Sequence, residues 1–200
     1  MRPLVASLAV VLAGSAVLGQ ATDGFAALTT ESARRLAALT DMPAVPAFPV
    51  ETMTGERLLL PRHDRKATVV EFIYTNCPTI CQVAGAEMAR LRDRLAAGPL
   101  AGRVRLVSLS FDPARDTREQ MAEYGRWHGA DGKVWTVARP GPTDLPALLG
   151  AYGVTVIPDR TGGFIHNAAL QIVSPDGRLT AILDMDDLDG AEKALERALR

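Results

Sequence analysis

The feature that most constrains the fold is an apolar run that leads directly into a cysteine-bearing segment. Residues 68–73 read Thr-Val-Val-Glu-Phe-Ile, and a β-branched, apolar run of this length is typical of a buried strand. Cys77 and Cys81 follow closely. Beyond them, apolar residues recur at the helical period, at Met88, Leu91 and Leu95. The sequence therefore predicts that both cysteines lie where a buried strand ends and a helix begins.

The two cysteines are the only ones in the chain. Residues four apart on an α-helix lie on one face with Cβ atoms roughly 5–6 Å apart, so the pair can form a disulfide or hold a soft metal ion. The unsatisfied N–H groups of a helix start stabilise a thiolate, and we therefore expect reactive sulfurs. A zinc-ribbon site is excluded because it needs a second cysteine or histidine pair. Thiol redox chemistry and soft-metal binding both remain open.

The length and charge of the chain limit the classes of protein to which it can belong. It has 200 residues, of which 48% are hydrophobic, and a formal net charge of −1. This length suits one ordinary globular domain and a tail rather than two domains. The charges are well mixed and no basic stripe with interleaved aromatic residues is present, so we expect no nucleic-acid partner.

The N-terminus differs in character from the rest of the chain. Arg2 precedes an uncharged, apolar stretch at residues 4–18, which is short for a bilayer span but suits a signal-peptide core. We predict that residues 1–21 are a signal peptide or an N-terminal anchor, residues 22–42 a linker, and residues 43–200 the folded domain. Export to the periplasm places both cysteines in an oxidising compartment, so a metal-binding role requires a thiol reductant.

The remainder of the chain alternates between strand and helix patterns. We predict strands at residues 48–50, 57–60, 68–73, 103–111, 133–138, 164–173 and 178–183. We predict helices from the cysteines to about residue 98, from the N-cap Thr117 to about residue 129, over residues 144–152, and from the N-cap Asp189 onward. Alternation of this kind predicts an α/β fold with right-handed crossovers. We therefore expect a central mixed β-sheet flanked by helices, with an N-terminal hairpin.

His166 is the candidate for a third ligand. A histidine near the start of a strand, after a glycine-rich connection, is ordinarily a surface residue. In a thioredoxin-like arrangement, however, the loop that leads into the final hairpin lies beside the helix start that carries the cysteines, so His166 can approach Cys77 and Cys81. Soft Cu(I) accepts two thiolates and one imidazole, and Cu(II) tolerates them. We interpret His63 as solvent-exposed and His128 as an end-of-helix residue.

Three motifs, in this order, carry a resemblance to a known family. They are Phe-Ile-Tyr-Thr-Asn-Cys-Pro-Thr-Ile-Cys at residues 72–81, Ser-Leu-Ser-Phe-Asp-Pro-Ala-Arg-Asp-Thr at residues 108–117, and His166 ten positions before Asp176. From about Phe48 to its C-terminus, the chain resembles the Sco/SenC family of thioredoxin-fold copper proteins, which act in assembling the binuclear copper centre of cytochrome c oxidase subunit II. The resemblance implies a thioredoxin-like fold.

The resemblance also implies a ligand set and a cargo. The family's two cysteines and histidine correspond to Cys77, Cys81 and His166, which would bind one copper ion as Cu(I) or Cu(II). The family's aspartate after the central strand corresponds to Asp112, whose role stays open between support of the site and capping of the strand end. The segment around His166 departs from the more usual acidic or aromatic context, and the N-terminal apolar stretch is short for the family's membrane anchor.

Two functions follow as the main hypotheses. The first is a metallochaperone that delivers copper to, or prepares, the binuclear site of cytochrome c oxidase subunit II, so the expected partners are that acceptor and a thiol reductant. The second is a thiol-disulfide oxidoreductase in which Cys77 is the exposed nucleophile and Cys81 resolves the mixed disulfide. A peroxiredoxin-type peroxidase is disfavoured because Thr75 stands two positions before Cys77 instead of three. A redox or copper sensor would use the same residues.

Overall fold

The computed structural model describes residues 2–22, 24, 27–77, 80–160 and 162–200. Among the residues it places in helices, the side chain of Cys81 lies outside the described part. The chain divides into two compact units, Met1–Asp41 and Met42–Arg200. The predicted boundary at residues 42–43 falls beside this division.

The first unit contains two helices, α1 (Arg2–Ala21) and α2 (Thr30–Thr40). A capping box starts α2, because the side chain of Thr29 accepts a hydrogen bond from the Ser32 amide and the Ser32 side chain accepts one from the Thr29 amide. The predicted linker therefore includes a capped helix. No helix in the described residues is both long and apolar enough to cross a membrane. The assignment of residues 1–21 as a signal peptide or anchor stays a prediction.

The second unit alternates strands and helices as predicted. Its elements are β1 (Phe48–Thr52), β2 (Arg57–Leu60), β3 (Ala67–Ile73), α3 (Ile80–Ala97), β4 (Val104–Ser110), α4 (Arg118–His128), β5 (Trp135–Pro140), α5 (Leu145–Tyr152), β6 (Val156–Pro158), β7 (Phe164–His166), β8 (Leu170–Val173), β9 (Leu179–Leu183) and α6 (Leu188–Ala198).

Within the described residues, seven strands form one mixed sheet in the order β2-β1-β5-β4-β3-β8-β9. The strands β3, β4 and β5 are parallel, and the other neighbours in the sheet pair antiparallel. The predicted central mixed sheet and the N-terminal hairpin of β1 and β2 are thereby confirmed. Because β3 and β4 run in the same direction with Ile73 opposite Ser110, the segments that follow these two strands leave the sheet at the same edge.

Helices cover both faces of the sheet. The fully buried residues Val69, Leu106 and Trp135 form one core with apolar side chains of α3 and α6. Phe72 is three residues beyond Val69 and therefore points to the opposite face. There its ring packs edge-on against Tyr152 of α5, with ring centroids 5.3 Å apart. The sheet is consequently buried between helical layers, which explains why β3 is apolar along its whole length.

One prediction was wrong in a way that matters for the site. Residues 164–173 do not form a single strand, because β7 pairs with β6 in a separate two-stranded sheet and the main sheet resumes only at Leu170. The side chain of Asn167 fixes the break: its oxygen accepts from the Thr155 amide at 2.8 Å and its nitrogen donates to the Gly153 carbonyl at 3.1 Å. We call the antiparallel pair β6 and β7 the His166 ribbon.

Two predicted element starts were also wrong, each because an aspartate binds backbone amides. The strand predicted from Lys133 begins at Trp135, since the carboxylate of Asp131 accepts from the amides of residues 133–135. The last helix begins at Leu188 with Asp187 as its N-cap, which accepts from the Gly190 amide at 2.9 Å. The predicted N-cap Asp189 pairs instead with Arg94 at 2.6 Å.

A buried carboxyl group lies within the sheet. Glu71 of β3 has no exposed surface, and the Ser108 hydroxyl donates to its Oε1 at 2.5 Å. Trp135 Nε1 in turn donates to Ser108 Oγ at 2.8 Å. The other carboxylate oxygen, Oε2, has no hydrogen-bond partner among the described residues. Burial raises the pKa of Glu71 to about 8, against the opposing effect of the Ser108 hydrogen bond, so the group is neutral in the folded protein at pH 7.

This neutral glutamate predicts a pH dependence of stability. The pKa of Glu71 is raised from its ordinary value of 4.5 to about 8, so between these two pH values the folded state keeps a proton that the unfolded state has lost. The contribution of Glu71 to stability is therefore fully present below pH 4.5 and is lost as the pH rises towards 8. The loss is at most about 1.4 kcal/mol per pH unit. Denaturant unfolding of Glu71→Gln should lack this component of the slope.

The exposed Glu123 offers a matched control, since Glu123→Gln removes a carboxylate outside the core. We expect its pH profile to follow that of the natural protein. An unchanged slope in Glu71→Gln would show that Glu71 is ionised in the folded state.

Candidate metal centre

The two cysteines flank the start of α3. Tyr74 follows the end of β3, Cys77 is only 3% exposed, and Cys81 is the second residue of α3. The predicted junction of a buried strand and a helix is thus confirmed. Cys77 precedes the helix, however, so the spacing expected for two residues on one helical face does not apply to this pair. The expectation of an exposed thiol at Cys77 was wrong, because this residue is buried next to the exposed Asn76.

A buried carboxylate anchors the segment before Cys77. Asp116 has no exposed surface. One of its oxygens accepts from the Thr75 hydroxyl at 2.7 Å, and the other accepts from the Thr75 amide at 3.0 Å and from the Ser110 hydroxyl at 2.5 Å. The end of β4 and the turn beyond it therefore hold the cysteine segment in place. Burial raises the pKa of Asp116, and the hydrogen bonds from Ser110 and Thr75 oppose that shift.

Asp112 has a different set of contacts from Asp116. Its side chain forms an ion pair with Arg115 at 2.5 Å, its amide donates to the Ser110 hydroxyl at 3.0 Å, and its carbonyl accepts from the amides of Arg115 and Asp116. Asp112 therefore shapes the turn after β4 and holds Arg115. Sequence reasoning selected Asp112 and missed Asp116, although both lie in the second motif, because nothing local distinguishes the aspartate that reaches the cysteine segment.

His166 is joined to the same sheet edge by packed rings. Its imidazole contacts Phe111, which follows β4, with ring centroids 4.8 Å apart. Phe164 of the same strand packs edge-on against both Tyr74, at 5.2 Å, and Phe111, at 5.4 Å. We call Tyr74, Phe111, Phe164 and His166 the aromatic cluster. It packs the His166 ribbon against the segment that leads to Cys77.

His166 is half-buried, and its two ring nitrogens are buried atoms. Neither Nδ1 nor Nε2 has a partner among the described residues, although both atoms are buried. A buried polar group left unpaired is costly, so both nitrogens require an explanation. Burial also lowers the pKa of His166, which favours the neutral imidazole. A neutral imidazole with an available nitrogen is the form that ligates metal ions.

The described side chains alone do not complete a metal site. No group of three or more His, Cys, Asp or Glu side chains suited to a metal ion is present among them, and the side chain of Cys81 lies outside that set. His63 is exposed, as predicted. His128 ends α4, as predicted, but it is half-buried against Tyr124, with ring centroids 4.4 Å apart. It lines a cleft of about 240 Å³ that also borders Thr75 and Asn76.

Comparison with known proteins decides the family. The family model described as SCO1/SenC matches residues 41–199. The chain belongs to the SCO1/SenC family. This finding confirms the resemblance seen in the three motifs, and it extends the matched region to residue 41, seven residues before Phe48.

Relatives of this SCO1/SenC protein are recognisable in sequence and in structure. The SCO1 protein homolog of Bacillus subtilis is 26% identical over 151 residues, which are 74% of this chain and 75% of that protein. The copper-bound crystal structure of Arabidopsis thaliana ScoI superposes with a TM-score of 0.67 at 22% identity, covering 78% of this chain and 99% of ScoI. BsSco, a member of the Sco family of cytochrome c oxidase assembly proteins with an identified disulfide switch, superposes with a TM-score of 0.68 at 22% identity. The match covers 78% of this chain and 93% of BsSco. The structural likeness confirms the predicted thioredoxin-like fold.

The role of Asp116 can be tested by removing its carboxylate. Asp116→Ala removes the acceptor of the Thr75 amide and hydroxyl, which are partly buried, and of the buried Ser110 hydroxyl, and loss of a buried partner costs about 1–3 kcal/mol. We expect the free energy of unfolding, measured with denaturant, to fall by at least one such increment. Asp144→Ala is the control, because Asp144 precedes α5 without a side-chain capping bond. Equal, small effects in the two variants would contradict the anchoring role.

Proposed function

We propose that this SCO1/SenC protein is a copper metallochaperone in which Cys77, Cys81 and His166 hold one copper ion. The observation that carries the proposal is the imidazole of His166, whose two buried nitrogens lack hydrogen-bond partners among the described residues. The aromatic cluster packs that imidazole against the segment leading to Cys77. A bound metal ion would satisfy a nitrogen that has no hydrogen-bond partner among the described residues.

The chemistry of the three side chains fits copper. Thiolates are soft ligands that select Cu(I), and an imidazole suits copper in either oxidation state. The helix start of α3 favours the thiolate form of cysteines placed there. Two thiols that bind a metal ion release their protons, whereas a neutral His166 has none to lose at its ligating nitrogen. The copper-bound state of the relative ScoI from Arabidopsis thaliana supports the choice of metal.

Copper is the cargo in this proposal, and a partner protein receives it. Ligands of the acceptor replace Cys77, Cys81 and His166 one at a time, so the ion is never released to solvent. BsSco is a member of the Sco family of cytochrome c oxidase assembly proteins, and this relationship supports an acceptor within that oxidase. We propose the binuclear copper site of subunit II as the specific acceptor.

We further propose that the protein acts in the periplasm. Residues 1–21 would serve as an export signal or as a tether to the inner membrane. In an oxidising compartment the two thiols tend toward a disulfide. A thiol reductant must therefore act before copper binds, and it is the second partner of the proposed cycle.

A thiol-disulfide oxidoreductase is the second candidate, favoured by the two cysteines at the start of α3. In such a cycle one thiolate attacks a partner disulfide and displaces the first partner thiolate. The second cysteine then attacks the mixed disulfide and displaces the other, so that the partner is reduced and a Cys77–Cys81 disulfide forms. The burial of Cys77 counts against its role as the attacking thiol, because exchange requires access. The disulfide switch identified in BsSco supports this second candidate.

Anaerobic titration of the reduced protein with Cu(I) tests the leading proposal. We expect one tightly bound equivalent in the natural protein, no tight binding in Cys77→Ala or Cys81→Ala, and affinity at least about tenfold lower in His166→Ala, since loss of a ligand should cost at least as much as loss of an outer-shell partner. His63→Ala is the matched control, because it removes an exposed imidazole. Metal stoichiometry and a competing chelator give the measurements.

The outcomes separate the two candidate functions. Unaltered copper affinity in His166→Ala would remove the imidazole from the site and overturn the three-ligand proposal. Absence of copper binding in the reduced protein, together with a disulfide that cycles readily against a partner, would replace the metallochaperone with the oxidoreductase.

A further inference from the structure

Arg115 connects the turn after β4 to the His166 ribbon. Its Nε pairs with the carboxylate of Asp112 at 2.5 Å, and its Nη1 donates to the carbonyl of Gly162 at 2.8 Å. Its guanidinium also lies over the ring of Phe164, 5.0 Å from the ring centroid. One side chain thus contacts Gly162 in the connection between β6 and β7 and the ring of Phe164 in β7, while its Nε pairs with Asp112 in the turn after β4.

Asp112, the residue to which Arg115 is paired, is itself held in place. Asp112 is only 8% exposed, and its backbone forms the hydrogen bonds of the turn described above. Arginine is the side chain suited to the position, because its planar fork can bind a carboxylate and a carbonyl at once and also stack on a ring. A lysine has a compact charge and cannot reproduce all three contacts.

The ribbon needs such contacts to hold its position. It consists of two strands, Val156–Pro158 and Phe164–His166, and an isolated two-stranded ribbon is marginally stable in water. The outward residues Ile157 and Ile165 are 55% and 65% exposed, so the outer face of the ribbon is little covered. Its placement therefore depends on the contacts of its inner face, on Asn167 and on Arg115.

We propose that Arg115 is a positioning residue for His166. By contacting Asp112, the Gly162 carbonyl and the Phe164 ring at once, it holds the ribbon so that the imidazole can complete the copper site. This inference rests on the proposed copper-binding function and adds a residue outside the ligand set. It requires that Arg115 affects copper affinity only through His166. Groups that orient metal ligands typically change affinity by about 10–100-fold when they are removed.

The test is a double-mutant cycle of Cu(I) affinity, measured by competition with a chelator. We expect Arg115→Gln to bind copper about tenfold more weakly than the natural protein, and Arg115→Lys to recover part of the loss because it keeps the charge near Asp112 and Phe164. In the His166→Ala background, Arg115→Gln should cause no further loss. Such dependence on His166 distinguishes positioning from general destabilisation.

Arg178 provides a matched control. Its side chain is 50% exposed, against 46% for Arg115, and it likewise pairs with a nearby carboxylate, that of Asp176. It also donates to a backbone carbonyl, that of Met42, at 3.1 Å. Arg178→Gln therefore removes the same kinds of polar contact in the turn between β8 and β9, and we expect it to bind copper as tightly as the natural protein.

A second readout needs no metal. Amide hydrogen exchange of the metal-free protein should be faster at residues 162–166 in Arg115→Gln, with β3 and β4 unchanged. Natural copper affinity in Arg115→Gln, an equal loss in the His166→Ala background, or unchanged exchange of the ribbon would each overturn the proposal. Lack of copper binding by the natural protein would defeat the proposed function and the positioning role together, and the exchange data would still show whether Arg115 restrains the ribbon.

Discussion

The buried carboxylate of Asp116 is the interaction on which the candidate site depends. It joins two segments 41 positions apart, because it accepts both polar hydrogens of Thr75 while it also binds Ser110 at the end of β4. The parallel pairing of β3 and β4 brings these segments to one sheet edge, and its register ends at Ile73 and Ser110. Asp116 accepts from the Thr75 amide, two residues beyond Ile73, and so helps to set the path of the chain into Cys77.

Rings carry the second connection. The aromatic cluster packs the His166 ribbon onto residues that leave β3 and β4, and these contacts are apolar or between ring faces and edges. They hold the half-buried His166 through contacts that do not involve hydrogen bonds of its nitrogens. The nitrogens of a structural histidine in such a position would ordinarily form hydrogen bonds. Both nitrogens of His166 instead lack a partner among the described residues, which supports its place in the proposed ligand set.

Sequence patterns predicted those parts of the molecule whose causes are local. The buried run of β3, the helical period of α3 and the N-cap Thr117 could all be predicted from local sequence, and the order of the motifs singled out Cys77, Cys81 and His166. The His166 ribbon was missed because residues 164–173 are apolar almost throughout, and the break in them is made by Asn167, which binds the backbone 12 and 14 positions away. Asp116 and Arg115 were missed for the same reason. Asp116 binds Thr75, 41 positions away, and Arg115 binds Gly162, 47 positions away.

The proposed ligands therefore come from two parts of the domain with different anchorage. The cysteines belong to a junction that is tied to the main sheet by a fully buried carboxylate, whereas His166 belongs to a short ribbon with an exposed outer face and a half-exposed arginine clasp. A carrier must bind its cargo firmly and also surrender it, and ligand exchange is easiest at the ligand whose support is weakest. This difference makes the imidazole the ligand best placed to leave first, because the ribbon can shift while the strands beneath Cys77 remain packed.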